Sequence, residues 1–385
     1  MKIVFLSNYF NHHQKPLSDA LYTLCDEYHF IATGSMSEER KAFGYEQLTA
    51  PYVLDYSVMQ SWEKQAIEDL IVCADAVIVG SCPESLLRRR KHVKKLIFRY
   101  SERPVKAREY LKFLPRLVKW NFRSPRRLPI FLLSASAYAP YEYSKFFLFK
   151  NRAFKWGYFT EIKRYSQGLS ALQQTKACGS ILWVARLIEL KHPEFPIYAA
   201  EKLKREGYSF TLEIVGDGPL RDSLQTLIEE KNLQDCVFLR GAMKPASVRK
   251  IMEQSRIFLF TSDKREGWGA VLNEAMNSGC AVIASHEIGA VPYLLCDGKN
   301  GLVYRDGDIG DMYQRLEMLL KDDEICRKLG ENAYSTMVNE WSPELAASRL
   351  ICVAQSLIDG KEPLDLYQSG PCSKAEIIKD DWIEC

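Results

Sequence analysis

The sequence predicts an α/β protein made of two Rossmann-like, doubly wound domains facing a cleft. Three observations predict it. Short, nearly continuous apolar runs alternate with stretches of helical periodicity, the pattern of parallel strands covered on both faces by helices. The alternation restarts in the second half of the chain. A chain of 385 residues exceeds one ordinary core and suits two.

In the first half the apolar runs are "KIVFLS" at 2–7, "AVIVGS" at 76–81, "KLIFRY" at 95–100 and "IFLLSAS" at 130–136. The second half repeats the pattern with "SILWVARL" (180–187), "FTLEIVGDG" (210–218), "VFLRG" (237–241), "IFLFTS" (257–262), "AVIASH" (281–286) and "GLVY" (301–304). Polar and small residues interrupt it around "YSQGLSALQQTKACGS", 165–180, a natural linker composition. The expected division is an N-terminal domain over 1–172, a second over 173–345, and a helical segment over 346–385 that can cross back to the first. Sheets of this kind bind ligands beyond the carboxyl ends of their strands.

Composition narrows the class. Hydrophobic content of 47% and charged content of 26% are those of a soluble globular protein, without low-complexity blocks or solenoid repeats. No run approaches the roughly 18 apolar residues of a bilayer span, and "MKIVFLSNYF" lacks a signal h-region and cleavage site, so a cytoplasmic location is expected. Eleven scattered cysteines, with no Cys-x-x-Cys pair, read as reduced core thiols. Net charge is +3, yet between Arg88 and Arg127 sixteen Lys and Arg face only Glu102 and Glu109, so this stretch alone carries +14.

The stretch "DKREGWGAVLNEAMNSG", 263–279, places two carboxylates, Glu266 and Glu274, among small and apolar residues. "IFLFTS" is the strand before it, "DKREGWG" the turn at its carboxyl end and "AVLNEAMNSG" a helix closed by Gly279. Gly267 and Gly269 let the backbone approach a ligand, and the amides of Gly269, Ala270 and Val271 open the helix with unpaired N–H groups suited to a diphosphate. Glu274 is placed to accept hydrogen bonds from a ribose diol, and Glu266 to meet hydroxyls beyond the phosphates. After "SILWVA" come Arg186 and Lys191, cations that can neutralise phosphate charge. After "TLEIV", Gly216 and Gly218 make a tight strand-to-helix turn.

The ordered motifs "VARLIELKHPE", "IVGDGPLRDSL", "VFLRGAMKP", "SDKREGWGAVLNEAMNSGCAVIAS" and "DGKNGLVY" closely resemble the nucleotide-sugar-binding domain of retaining glycosyltransferases of the GT-B fold, family 4 type. The resemblance covers about residues 178–345. It implies that Arg186 and Lys191 bind the donor diphosphate, Glu274 the ribose and Glu266 the donor sugar near the reacting centre. Gly216 and the Gly267, Trp268, Gly269, Ala270 and Val271 backbone would support sugar and phosphate, and Gly241 and Met243 would line the base. Where that family commonly has Gly-Gly-x-Pro-Glu, this chain reads Gly289, Ala290, Val291, Pro292, Tyr293.

The implied reaction transfers a hexose or N-acetylhexosamine from a UDP- or GDP-linked sugar, with retention, to a saccharide or lipid-linked saccharide acceptor, in surface polysaccharide assembly. No paired carboxylates of the glycosidase kind and no Asp-x-Asp ahead of a strand end are visible, so neither metal nor cofactor is expected. Two rivals remain: an epimerase on the same fold, and a non-catalytic scaffold that kept the nucleotide pocket.

The first domain should take the acceptor. His12 and His13 follow "KIVFLS", with Pro16 opening a helix; Glu102, Ser101, Ser134 and Ser136 stand at other strand ends. For Glu102 an ion pair with a neighbouring arginine is the expected role, an acceptor contact the alternative. In "VKAREYLKFLPRLVKWNFRSPRR" the residues Tyr110, Leu111, Leu114, Leu117 and Val118 fall on one helical stripe beside Lys106, Arg108, Lys112, Arg116 and Lys119, with Pro115 expected to kink or break the helix. Residues 88–127 therefore suit an anionic membrane surface, which would place the chain peripherally on the inner face of the cytoplasmic membrane; the alternative is a solvated helix that covers the sheet. Stacking platforms for nucleic acid are absent.

Overall fold

The computed structural model describes residues 1–36, 48–105, 113–166 and 168–384. They form two compact units: Met1–Glu161 with Trp341–Asp380, and Ile162–Glu340 with Asp381–Cys385.

The first unit carries β1 (Lys2–Ser7), β2 (Glu27–Ala32), β3 (Val53–Asp55), β4 (Ala76–Val79), β5 (Leu96–Ser101), β6 (Ile130–Ser134) and β7 (Ala153–Lys155). They form one parallel sheet in the order β3-β2-β1-β4-β5-β6-β7. β1, β4, β5 and β6 are the four predicted runs. The sequence missed β2, whose outer half mixes Glu27 and His29 with apolar residues, and the short β3 and β7. Glu27 remains at the surface, paired with Lys2 at 2.6 Å. Val4, Leu6, Val77, Val79 and Ile97 bury one sheet face against Ile67 and Ile71 of the helix Ser61–Cys73. Leu132, Tyr143, Phe146 and Leu148 form a separate cluster beneath Leu117 and Trp120 of the helix Phe113–Arg123.

Trp341–Asp380 completes this unit. The helix Pro343–Ile358 packs on the helix Lys15–Leu24, which Pro16 opens as expected. Beyond it, Ala375 N donates to Ala153 O at 2.9 Å and Lys155 N to Ser373 O at 2.7 Å, covering the edge of β7. A bare parallel edge exposes unpaired backbone groups, which this tail satisfies.

Part of the basic stretch is interior. Arg90 is fully buried and donates to the carbonyls of Ile71, Ala74, Asp75 and Leu96 at 2.6–3.2 Å. Burial pulls its pKa down to about 10. Arg99 pairs with Glu84, and Arg103 with Glu142 and Asp380. These three cations hold the fold together and correct the expectation that 88–127 is surface charge throughout. Lys106, Arg108, Glu109, Tyr110, Leu111 and Lys112 lie outside the described residues. Pro115 does not end the helix, which runs on to Arg123.

The second unit contains β8 (Ser180–Val184), β9 (Thr211–Val215), β10 (Val237–Gly241), β11 (Ile257–Phe260), β12 (Ala281–Ser285) and β13 (Leu302–Tyr304), parallel and in the order β10-β9-β8-β11-β12-β13. Each strand falls within a predicted run. Their legibility has a cause: Ile181, Trp183, Ile214, Ile257, Leu259 and Ile283 are buried under helices that contribute Ile197, Leu203, Leu224, Ile228, Met312 and Leu316.

The expected boundaries at 172 and 345 shift to Glu161 and Glu340. Lys163 N donates to Asn277 Oδ1 at 2.8 Å, and the buried Gln173 Nε2 to Gly279 O at 2.7 Å, so the polar stretch taken for a linker is docked to the second unit. Trp341 is buried against Phe159 of the first unit, centroids 6.2 Å apart. Among the described cysteines, Cys73, Cys178, Cys296 and Cys352 are exposed, unlike the core thiols expected. No helix of the described residues is long and apolar enough to cross a membrane.

Candidate active site

In the second sheet the chain leaves β8 for β9 on one side and returns to β11 on the other, so the order reverses between β8 and β11. Loops diverge at such a point and leave room for a ligand beyond the strand ends. The turn after β8 carries Arg186, Lys191 and His192; the turn after β11 carries Asp263 and Glu266.

Hydrogen bonds lace the two turns together. Trp183 Nε1 donates to Thr261 Oγ1 at 2.8 Å, Thr261 Oγ1 donates to Lys191 O at 2.6 Å, and Asp263 N donates to Leu190 O at 3.0 Å. The backbone bearing Lys191 is thereby fixed from β11.

Lys191 Nζ forms an ion pair and hydrogen bond with Glu266 Oε2, and Ser262 Oγ donates to the same oxygen at 3.1 Å. Both side chains are about 15% exposed, shielded enough to strengthen the pair yet open to a ligand. Lys191 Nζ also lies 5.9 Å from the centroid of the buried Phe260 ring. Gly269 packs on the same ring: its φ is +89°, and a Cβ there would sit 2.4 Å from Phe260. Only glycine fits there, so the backbone before the helix Val271–Asn277 is pressed against the ring beneath Lys191.

Gly216 does the same work at the end of β9. At φ +144° its added Cβ would lie 1.8 Å from Ala185 O, and its N–H donates to Gly241 O at 2.9 Å. The expected tight turn is therefore a close passage of one backbone under another, which sets the Ala185–Arg186 peptide. Gly241 ends β10 and Met243 follows it, half-buried.

Arg186 is exposed, and Glu274 is half-buried in the first turn of the helix Val271–Asn277. The Trp268 side chain is fully buried, with Nε1 donating to Asn273 Oδ1 at 2.9 Å, which is compatible with the backbone role expected of it. At the helix opening Leu272 N donates to Gly269 O and Glu274 N to Ala270 O, and a helix of seven residues has only a small dipole.

Sequence reasoning missed His192. It adopts left-handed backbone (φ +47°), with Nδ1 3.0 Å from Glu194 and Nε2 3.5 Å from Asp263. Its hydrogen bonds to the Asp263 and Glu194 carboxylates push its pKa up to about 9, which favours the cation at neutral pH. Burial raises the Asp263 carboxyl, but His192 and Arg265 outweigh it and hold it well below the usual carboxylate range. The signal was present in "LKHPE" and "SDKRE", but contact between the two strand ends is a tertiary fact. Ser262, Thr261 and Phe260 were missed for the same reason.

In the first unit, His12 and His13 follow β1 with ring centroids 3.9 Å apart, and His13 N donates to the buried Asn11 Oδ1 at 2.9 Å. The His13 ring lies 6.2 Å from that of Tyr158, whose hydroxyl donates to Glu102 Oε1 at 2.9 Å. The structure thus brings His13, Tyr158 and Glu102 to one place, with the Tyr158 phenol donating to Glu102. Ser101 is engaged with Tyr143, and Ser134 donates to Ser136 O at 2.7 Å; both Ser134 and Ser136 are buried. They are structural.

Two parallel doubly wound sheets in one chain, with a cation–carboxylate pair at the switch point of the second, define a protein of the GT-B fold. The family model described as Glycosyl transferases group 1 matches residues 178–336, which lie wholly in the second unit. Alpha-D-kanosaminyltransferase of Streptomyces kanamyceticus is 30% identical over 170 residues, 44% of each chain. The N-acetylgalactosamine-N,N'-diacetylbacillosaminyl-diphospho-undecaprenol 4-alpha-N-acetylgalactosaminyltransferase of Campylobacter jejuni is 33% identical over 156 residues, 40% of this chain and 41% of that protein. The chain thus matches less than half the length of these curated relatives. The solved structure of Anabaena HepE in complex with UDP matches 93% of this chain and 100% of its own at TM-score 0.70 and 16% identity, a likeness of fold.

Proposed function

We propose that the protein is a retaining glycosyltransferase that moves a hexose or N-acetylhexosamine from a UDP- or GDP-linked sugar to a saccharide acceptor carried on a lipid, in surface polysaccharide biosynthesis. The observation that carries this reading is the Lys191–Glu266 pair at the β8/β11 switch point. The group 1 match over the same residues and the transferase names of the curated relatives support it.

In this reading Lys191 and Arg186 meet the donor diphosphate. The anomeric carbon–phosphate oxygen bond breaks, the acceptor oxygen bonds to the same face of that carbon, and the acceptor proton passes to the departing phosphate oxygen. Charge grows on that oxygen in the transition state, and fixed cations there lower the barrier. Glu266 orients Lys191 and meets donor hydroxyls, Glu274 accepts from the ribose, and Gly216, Gly241, Met243 and the Gly267–Val271 backbone frame the nucleotide. His12, His13 and Glu102 serve the acceptor. Two lysine and arginine charges take the part a divalent ion plays elsewhere, so no metal is needed.

A panel of UDP- and GDP-sugars with a lipid-linked saccharide, with and without chelator, tests this directly, and NMR of the product gives its anomeric configuration. Retained configuration and chelator-resistant turnover are expected. Abolition by chelator, inversion, or donor consumption without any acceptor as in an epimerase each contradicts it. A scaffold would bind donor and never turn it over.

A further inference from the structure

The helix Phe113–Arg123 turns Leu117 and Trp120 onto the core of the first unit, and Asn121 Nδ2 anchors it by donating to Phe146 O at 3.2 Å. Leu114, Val118 and Phe122, spaced four residues apart, form a separate stripe. They are 69%, 70% and 74% exposed. The sequence pattern had grouped Leu117 with Leu114 and Val118; the structure splits them. Along one flank of the stripe run Arg116, Lys119 and Arg123, and the helix has no acidic residue. Arg126 and Arg127, both exposed, follow at once, and the Arg126 guanidinium lies 5.5 Å over the ring of Phe147, itself 65% exposed.

A helix that merely covers a sheet turns polar residues outward. Single exposed apolar residues are ordinary, but three in register beside a row of cations are the pattern of a helix lying in a membrane interface. We infer that this helix docks the first unit on an anionic lipid bilayer, with Leu114, Val118 and Phe122 at the acyl–headgroup boundary and Lys119, Arg126 and Arg127 against lipid phosphates. Charge complementarity selects this occupant. A second copy of the chain in an isologous contact would set these cations against themselves, and nucleic acid has no use for the aliphatic stripe. The inference does not rest on the transferase reading, whose donor site lies in the other unit.

The test sediments the full chain with phosphatidylcholine vesicles, with and without about a third phosphatidylglycerol, at low salt and at roughly 0.5 M NaCl. Binding should require the anionic lipid and weaken with salt. Replacing the stripe (Leu114→Gln, Val118→Gln, Phe122→Gln) should lower the partition coefficient at least tenfold, and Lys119→Gln with Arg126→Gln about fivefold per charge removed. Circular dichroism and the unfolding temperature check the fold. If the triple variant unfolds, Val118→Gln and Phe122→Gln are measured singly, each with a partial loss expected. Equal binding to neutral vesicles, full binding by folded stripe variants, or a lipid-free dimer that the stripe variants abolish while vesicles are ignored overturns the inference. UDP-sugar binding measured without vesicles keeps the two proposals separate.

Discussion

Two charge pairs, Lys191–Glu266 and His192–Asp263, dominate the chemistry of individual residues at the β8/β11 switch point. Lys191→Ala removes the cation and leaves Glu266 with only Ser262 as a described donor. Loss of one preorganised group that stabilises developing charge costs about 10²–10³ in kcat, so Lys191→Ala and Glu266→Ala should each fall by that factor. Unfolding temperature should barely move, because both side chains are partly open. Steady-state kinetics with calorimetric scans checks this; a variant within a few-fold of wild type removes the residue from the mechanism. The second pair is pH-sensitive. His192 has its folded pKa raised from 6.5 to about 9, so the stability it contributes is complete below pH 6.5 and is lost as pH rises through 9. Asp263→Asn should bring the imidazole back toward 6.5, read from its NMR titration. An unchanged titration would show that the Asp263 contact is not what charges the ring.

At the element scale the decisive parts are the turns that follow strands. Gly216→Ala puts a Cβ within bonding range of Ala185 O in a backbone region that L residues avoid, and should cost about 3 kcal/mol or more. Gly207→Ala, at φ +82° with open space around it, should cost only about 1 kcal/mol. Denaturant melts of the two variants make the comparison, and equal losses would mean the β9 turn is not a close passage. What the sequence disclosed follows the same division. β8, β11, β12 and β13 were legible because their burial forces unbroken apolar runs. β2 was hidden by the surface-facing Glu27 and His29, and the short β3 and β7 by Asp55 and Lys155, which break their apolar runs. Lys191 and Glu266 were legible from their strand-end positions. Thr261, His192 and Tyr158 were not, since their roles arise from partners 56 or more residues away.

At the scale of the whole molecule, the chain pairs a second unit rich in recognisable motifs with a first unit that has few. The proposed donor site is assembled inside one sheet, so nucleotide should stabilise the protein without any acceptor present. A ligand at about 100 times its Kd adds roughly 2.7 kcal/mol to the folded state, or an upward shift of about 5 to 10 °C for a unit of this size. The first unit uses its excess cations differently: Arg90, Arg99 and Arg103 are consumed inside the fold, whereas Arg116, Lys119, Arg123, Arg126 and Arg127 lie on or just after the helix that carries the exposed apolar stripe. Fold alone would not distinguish a transferase from an epimerase; the requirement for an acceptor does.

The central claim is that Lys191 and its carboxylate partner at the β8/β11 switch point receive a nucleoside diphosphate. Isothermal titration of the protein and of its Lys191→Ala variant with UDP and GDP measures this most directly. Saturable binding of one nucleotide that weakens at least tenfold in the variant is the predicted result. Binding of equal strength in both proteins, or none of either nucleotide by the wild type, would contradict it.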